Sequence, residues 1–131
     1  MDNEQQELLY KLSMFEQQIR QFQEQINSID EGIIDLESLN LGLDEIKNSE
    51  GKESFSPIGR GIFVKSKILS DNLLVDVGQR NFVKKTVPET QEMIKKQVEK
   101  LEEIKKDLDN SLREIGREAE TIIGNSSKVN S

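Results

Sequence analysis

The sequence predicts an α+β chain in which two long helices form an antiparallel coiled coil and are joined by two β-hairpins. Three observations support this fold class. Apolar residues recur in alternating steps of four and three over two long segments, a segment with a period of two lies between them, and the composition is poor in core-forming residues. Of the 131 residues, 34% are hydrophobic and 33% are charged. Such a chain can fold only if its apolar residues are gathered into stripes.

The first helix is predicted over residues 4–48. Its apolar residues follow steps of four and three without interruption, which places them on one helical stripe, the seam of a coiled coil. Leu43 continues this phase and Asn40 is a polar member of it, while Gly51 follows the expected end of the helix. The regular part of the seam consists of Leu8, Leu12, Phe15, Ile19, Phe22, Ile26, Ile29, Ile33 and Leu36.

The second helix is predicted over residues 87–123. Thr86 and Glu89 have the spacing of a capping box, in which each side chain satisfies a free backbone N–H of the first turn. Gly124 and the polar residues after it predict a disordered tail over residues 124–131. The seam consists of Val87, Gln91, Ile94, Val98, Leu101, Lys105, Leu108, Leu112, Ile115, Ala119 and Ile122.

The two seams are similar in length, and the segment between them is too long and too patterned to be a simple turn. Antiparallel pairing of the two helices is therefore expected. It places both chain termini at one end of the coiled coil and the connecting segment at the other.

The connecting segment, residues 53–86, predicts two consecutive β-hairpins. Ile62, Val64 and Ile68 alternate with Phe63 and two lysines, which is the period of a strand with one more apolar face. Two hairpins of this size are not stable alone, and their edges and apolar face need to be covered. We therefore expect this segment to oligomerise. The predicted strands cover residues 53–58, 61–69, 72–78 and 82–86.

The charge of the chain is unevenly distributed. Residues 52–88 carry seven basic and three acidic side chains, a balance of +4. Since the net charge of the chain is −7, the two flanking segments together carry −11. An acidic chain repels nucleic acid and anionic membranes, so neither is an expected partner. The basic segment is interpreted as partly solvated strands or a subunit contact, and the binding of an anion is the alternative.

Several functional classes are excluded by composition. The chain has no cysteine and no histidine, which removes disulfides, Cys/His zinc sites and catalytic pairs that use histidine. Gly59 and Gly61 lack the further glycine and lysine of a phosphate loop. No apolar run could span a bilayer, and the first residues are too polar for a signal peptide. We expect a cytoplasmic protein that is not an enzyme and has no cofactor or metal.

Apolar residues are crowded at the end of the coiled coil that carries the termini. Two helices use one stripe each for their seam, so Leu9, Tyr10, Met14 and Ile123 have no evident place to be buried. Exposed apolar patches often mark interaction sites, although frayed helix ends with scattered apolar residues are the alternative. The candidates, called here the tip residues, are Leu8, Leu9, Tyr10, Leu12, Met14, Phe15, Ile115, Ile122 and Ile123.

Two motifs in the connecting segment resemble a known family. Residues 56–65 read Ser-Pro-Ile-Gly-Arg-Gly-Ile-Phe-Val-Lys, and residues 73–78 read Leu-Leu-Val-Asp-Val-Gly. With a helix on either side, this segment closely resembles the prefoldin family, particularly its alpha subunits of archaeal type. The resemblance extends over nearly the whole chain, and the presence of two hairpins matches the alpha class.

The resemblance implies an ATP-independent chaperone. In that family, two alpha and four beta subunits assemble through their hairpins into a β-barrel platform. The tips of the coiled coils hold unfolded client proteins for a group II chaperonin. The residues that would act in assembly are Ile58, Ile62, Val64, Ile68, Leu73, Val75, Val77 and Phe82, and the tip residues would bind clients. A scaffold that joins native proteins and a homo-oligomeric filament or spacer are the alternatives.

Overall fold

A computed structural model describes residues 2–129, with side chains described as far as residue 125. In sequence order, two long helices flank two β-hairpins, which confirms the predicted fold class. Within the single chain the strands form two separate pairs and not a closed barrel. The elements are α1 (Asn3–Ile46), β1 (Glu53–Gly59), β2 (Ile62–Lys67), β3 (Leu73–Asp76), β4 (Phe82–Lys85) and α2 (Val87–Val129).

Helix α1 is capped at its start and ends slightly earlier than predicted. The Asp2 carboxylate accepts a hydrogen bond of 2.8 Å from the backbone N–H of Glu4, as an N-cap residue does. The helix ends at Ile46 and not at residue 48, because Asn48 adopts a positive φ of 58°, a left-handed conformation that stops a helix. Gly51, with φ of 86°, serves the entry to the first hairpin and not the helix end.

Helix α2 begins at the predicted cap. The backbone N–H of Glu89 donates to Thr86 Oγ1 at 3.2 Å. The Thr86 hydroxyl in turn donates to Glu89 Oε1 at 3.0 Å, so the cap is closed between the two side chains.

The predicted end of α2 was wrong. The helix runs to Val129, so residues 124–129 are helical and not a disordered tail. A single glycine such as Gly124 costs a helix about 1 kcal/mol relative to alanine, which is too little to terminate it. The rest of the predicted tail, residues 130–131, lies outside the described part of the chain.

The first of two compact units joins α1 as far as Ile33 with α2 from Lys100 onward. The predicted seam residues of this unit are all half-buried, whereas most of their neighbours are exposed. Asp30 Oδ1 lies 2.7 Å from Lys105 Nζ, and a Cβ added to Gly32 would lie 3.6 Å from the side chain of Leu101. As the residue number rises along α1, the number of the contacting residue in α2 falls, so the two helices are antiparallel.

Lys105 occupies a seam position because it has an acidic partner on the other helix. The hydrogen bond that Lys105 donates to the Asp30 carboxylate, together with the negative charge of Asp30, raises the pKa of Lys105 above its ordinary value. The ammonium group is partly exposed, with a side-chain exposure of 37%. The seam therefore admits a charge without enclosing it.

The second unit, Ile34–Glu99, contains the most deeply buried side chains of the described residues. Leu43, Val87 and Ile94 are 6%, 2% and 3% exposed. This small core lies where the end of α1 meets the start of α2. The half-buried apolar residues packed against it are Leu36, Ile46, Leu73 and Val98.

The polar seam members of this unit contact one another. Gln91 Nε2 donates to Asp44 Oδ1 at 2.7 Å and to the backbone carbonyl of Asn40 at 3.3 Å. The hydrogen bond from Gln91 is the main cause that lowers the pKa of Asp44, and Lys47 contributes less. The polar side chain of Gln91 thus joins the two helices, whereas Asn40 contributes only its backbone carbonyl and its buried Oδ1 accepts no hydrogen bond from the described residues.

The first hairpin pairs β1 with β2 through a turn at residues 59–61. The register is irregular between Pro57 and Gly59, which is a β-bulge. The second hairpin pairs β3 with β4, and its turn uses positive φ at both Gln79 and Arg80, as a type I′ turn requires. The observed strands are close to the predicted ones: β1 extends one residue further, to Gly59, and the other three strands are shorter than predicted.

Removal of the α2 cap is expected to destabilise the chain. Thr86→Ala leaves the N–H of Glu89 without its side-chain acceptor, and the free energy of unfolding should fall by about 1 kcal/mol in urea denaturation. Thr121→Ala is the matched control, because the Thr121 hydroxyl bonds only to the carbonyl of Arg117 within an exposed helical turn. An equal loss in both variants would contradict the role of Thr86.

The contact between Gln91 and Asp44 can be tested by titration. NMR of the folded protein should give Asp44 a pKa below its ordinary 3.8, and Gln91→Met should raise that pKa more than Lys47→Met does. Because the folded-state pKa is lowered, the contact stabilises the protein above the unfolded-state pKa, and this contribution is lost as the pH falls through the folded-state pKa. An unchanged Asp44 pKa in Gln91→Met would disprove the contact.

Candidate functional site

Four tip residues are exposed on the first unit, as expected from their positions beside the seam. Leu9 and Tyr10 are 51% and 67% exposed, and Met14 and Ile123 are 41% and 53% exposed. These side chains lie next to the stripe on either helix, and each keeps two fifths or more of its surface exposed. The prediction that they lack an intrachain burial site is confirmed.

The other five tip residues are half-buried seam members. Phe15 and Ile122 line a shallow groove together with Arg117, Glu118 and Thr121. The tip therefore has a packed seam flanked by exposed apolar side chains. The half-buried tip residues are Leu8, Leu12, Phe15, Ile115 and Ile122.

The first hairpin carries exposed apolar side chains on both faces. Residues that pair across an antiparallel ladder lie on the same face, so the register sorts the side chains into two sets. The serine face contains Ser54, Ser56, Ile62, Val64 and Ser66, and no charged residue. The phenylalanine face contains Glu53, Phe55, Pro57, Phe63, Lys65 and Lys67.

The serine face is held by polar contacts between its strands. The hydroxyls of Ser56 and Ser66 lie 2.7 Å apart, and Ser66 also donates to the carbonyl of Ser54 at 3.3 Å. Beside them, Ile62 and Val64 are 60% and 49% exposed. This face can be covered by another sheet without burying a charge.

The phenylalanine face was missed by sequence reasoning, which assigned assembly only to the alternating set on the opposite face. Phe55 and Phe63 are 67% and 58% exposed. Lys65 Nζ lies 3.0 Å from Glu53 Oε2 across the strands. The alternation of Phe63 with Val64 along β2 was the available signal, but only the register shows that Phe55 shares its face.

The second hairpin has an inner and an outer face. Leu73 lies on the inner face and packs against the core of Leu43, Val87 and Ile94, and Val75 on the same face is half-buried. Leu73, predicted as an assembly residue, is therefore engaged by its own chain. The prediction for Leu73 rested on the alternation of apolar residues along the strand. Alternation does not show which face of a hairpin is covered by the helices of the same chain.

The outer face of the second hairpin is exposed. Leu74 and Phe82 are 66% and 57% exposed, and the register places them on one face with Asp76 and Lys84. Leu74 was not among the predicted assembly residues. Of the predicted ones, Ile68 is half-buried, and those left exposed are Ile58, Ile62, Val64, Val77 and Phe82.

The described residues offer surfaces and not an enclosed reactive pocket. Among residues 2–129, no group of carboxylates is placed to hold a metal ion. No helix in that part of the chain combines the length and apolar character needed to cross a bilayer. The chemistry that the arrangement supports is contact with other polypeptides through exposed apolar side chains.

Comparison with known proteins identifies the family. The family model described as Prefoldin subunit matches residues 15–130. A prefoldin subunit alpha of Methanobrevibacter smithii is 30% identical over 122 residues, which cover 90% of this chain and 79% of the relative. Prefoldin subunit alpha 1 of Methanocaldococcus jannaschii is 31% identical over 111 residues, which cover 85% of this chain and 72% of the relative.

A solved structure supports the fold. The chain superposes on a subunit from the cryo-EM structure of filamentous PFD from Methanocaldococcus jannaschii with a TM-score of 0.81 and 24% sequence identity. The superposition covers 88% of this chain and 98% of that one. The chain belongs to the prefoldin family, as an alpha-type subunit of this non-enzymatic archaeal chaperone.

Proposed function

We propose that the chain acts as an ATP-independent holdase subunit that binds unfolded proteins through its tip residues and delivers them to a group II chaperonin. The observation that carries the proposal is the exposure of Leu9, Tyr10, Met14 and Ile123 beside a packed seam. Unfolded chains expose apolar side chains that these residues can cover. Folded proteins mostly do not.

The energy of such a contact suits transient holding. Full burial of a Leu, Ile or Met side chain contributes about 1.5–3 kcal/mol, so each half-exposed tip residue contributes roughly 1 kcal/mol. A few such contacts give weak binding at a single tip. Several tips on one assembly raise the affinity for one client without requiring a tight site on any subunit.

The hairpins support assembly with other prefoldin subunits. Exposed apolar residues on both faces of the first hairpin and on the outer face of the second need cover that the chain itself does not provide. We propose a heterohexamer of two alpha and four beta subunits, in the cytoplasm, with hairpins forming the β-barrel platform. In that assembly the serine face is suited to the interior of a barrel, because it carries no charge.

Polar replacement at the tip is expected to weaken holding. Leu9→Ser with Met14→Ser should reduce suppression of aggregation of a denatured client several-fold, in an assay without nucleotide that contains the chain and its beta partner. Leu39→Ser is the matched control, since Leu39 lies on the same helix and is 52% exposed, against 51% for Leu9. Equal suppression by the two variants would contradict the role of the tip.

A pull-down separates the scaffold alternative from the holdase. A holdase binds the denatured client and no longer binds it once it is folded, whereas a scaffold binds the native form more tightly. Pull-down of matched native and denatured forms of one protein by the assembled hexamer should favour the denatured form. Retention of only the native form would establish the scaffold.

Charge on the outer face of the second hairpin is expected to block assembly. Leu74→Asp with Phe82→Asp should remove the hexamer in native mass measurements while helical content measured by circular dichroism is preserved, because neither side chain contacts the core. Leu39→Asp is the control for an added charge at an exposed leucine. A hexamer that forms normally from the double variant would show that this face is free in the assembly.

A further inference from the structure

Helix α1 carries an apolar patch on the side that the coiled coil does not use. Ile34 and Leu41 are 64% and 68% exposed, and their spacing of seven places them on nearly the same line of the helix. Glu37 and Glu45 lie one turn from Leu41 on the same side. These four residues are called here the acidic patch. From Ile34 to Ile46 the helix has four acidic residues and no basic one.

The phenylalanine face of the first hairpin has the complementary character. Phe55 and Phe63 are exposed apolar side chains, and Lys65 and Lys67 stand beside them on the same face. The wider segment, residues 52–88, carries the balance of +4. Glu53 is the carboxylate on this face, so the face has a charge balance of +1 against −2 for Glu37 and Glu45. An apolar pair rimmed by carboxylates thus has its counterpart in an apolar pair beside a net positive charge.

The two surfaces do not cover each other within one chain. Both belong to the second unit, and both remain more than half exposed there. We propose that the acidic patch of one copy of the chain docks on the phenylalanine face of a second copy. This contact goes beyond the proposed function, because neither client holding nor pairing of hairpins requires it.

Charge sets the polarity of the contact. Two acidic patches repel each other, as do two lysine-bearing faces, so a symmetric pairing of like surfaces is disfavoured. The favoured pairing joins different surfaces of the two copies. It is either reciprocal, with both surfaces of each copy used in a two-fold dimer, or heterologous, extending to further copies or closing into a ring. Glu53 remains paired with Lys65 at 3.0 Å, which leaves Lys67 as the main cation for Glu37 or Glu45.

Engineered cysteines test the contact directly, because the chain has none of its own. Ser38→Cys places a thiol between Ile34 and Leu41 and keeps both, and Pro57→Cys places one on the phenylalanine face, opposite Phe63, and keeps both phenylalanines. A mixture of the two variants under mild oxidation should form a mixed disulfide dimer about tenfold faster than random collision allows. Ser28→Cys, an exposed serine elsewhere on α1, is the matched control.

Charge reversal provides the second arm of the test. Glu37→Lys with Glu45→Lys in the Ser38→Cys chain should slow formation of the mixed disulfide about tenfold, and Lys65→Glu with Lys67→Glu in the Pro57→Cys chain should do the same. The two reversed chains together should recover most of the rate. High salt should slow the unreversed pair.

The outcomes decide the proposal without involving the holdase. Equal rates for Ser38→Cys and Ser28→Cys, or reversed charges without effect, overturn the contact. Circular dichroism of each variant checks that the helices are intact. Aggregation assays on hexamer made with the beta partner measure holding separately, so loss of the mixed disulfide with holding preserved rejects only this contact.

Discussion

The small core of Leu43, Val87 and Ile94 connects the end of α1, the start of α2 and the second hairpin. Val87 is the first residue of α2 and is 2% exposed. The cap at Thr86 therefore fixes the start of the helix directly beside a residue of the core. Leu73 brings β3 onto this core from the hairpin side. The position of the second hairpin on its helices therefore depends on a few side chains that α2 can present only if it begins at Val87.

Beyond this core, the chain buries little. A pair of helices has no second layer, so each helix covers only the stripe that faces its neighbour. The seam residues of the first unit are half-buried rather than fully buried. Apolar residues off the stripe remain exposed because no second layer covers them in the described part of the chain. The same feature that limits the stability of one chain supplies the surfaces for assembly and for contact with other proteins.

The polar seam members show how a coiled coil admits groups that would be costly in a core. Gln91 meets Asp44 and the Asn40 carbonyl, and Lys105 meets Asp30. Each contact joins the two helices and is partly solvated, so the penalty for removing a charge from water is small. A shift in the pairing of either helix would separate these partners, so the contacts favour the observed register.

The sequence alone was sufficient for the stripes, the antiparallel pairing, the cap at Thr86 and the exposure of the residues beside the tip seam. These features depend on the spacing of apolar residues along one helix, and this spacing can be identified from the sequence without knowing what the helix contacts. The family motifs in the hairpins were equally legible. The end of α2 was misjudged, because the propensity of one glycine is a weak signal beside the hydrogen bonds of a long helix.

Only the tertiary structure decided which side of each hairpin is free. The pairing of Pro57 with Phe63 and of Phe55 with Lys65 places both aromatic rings on one face, and packing of Leu73 on the core turns Leu74 outward. Alternation along a strand defines two faces but does not say which one the rest of the chain covers. That choice depends on contacts between residues far apart in sequence, here between β3 and the helix ends.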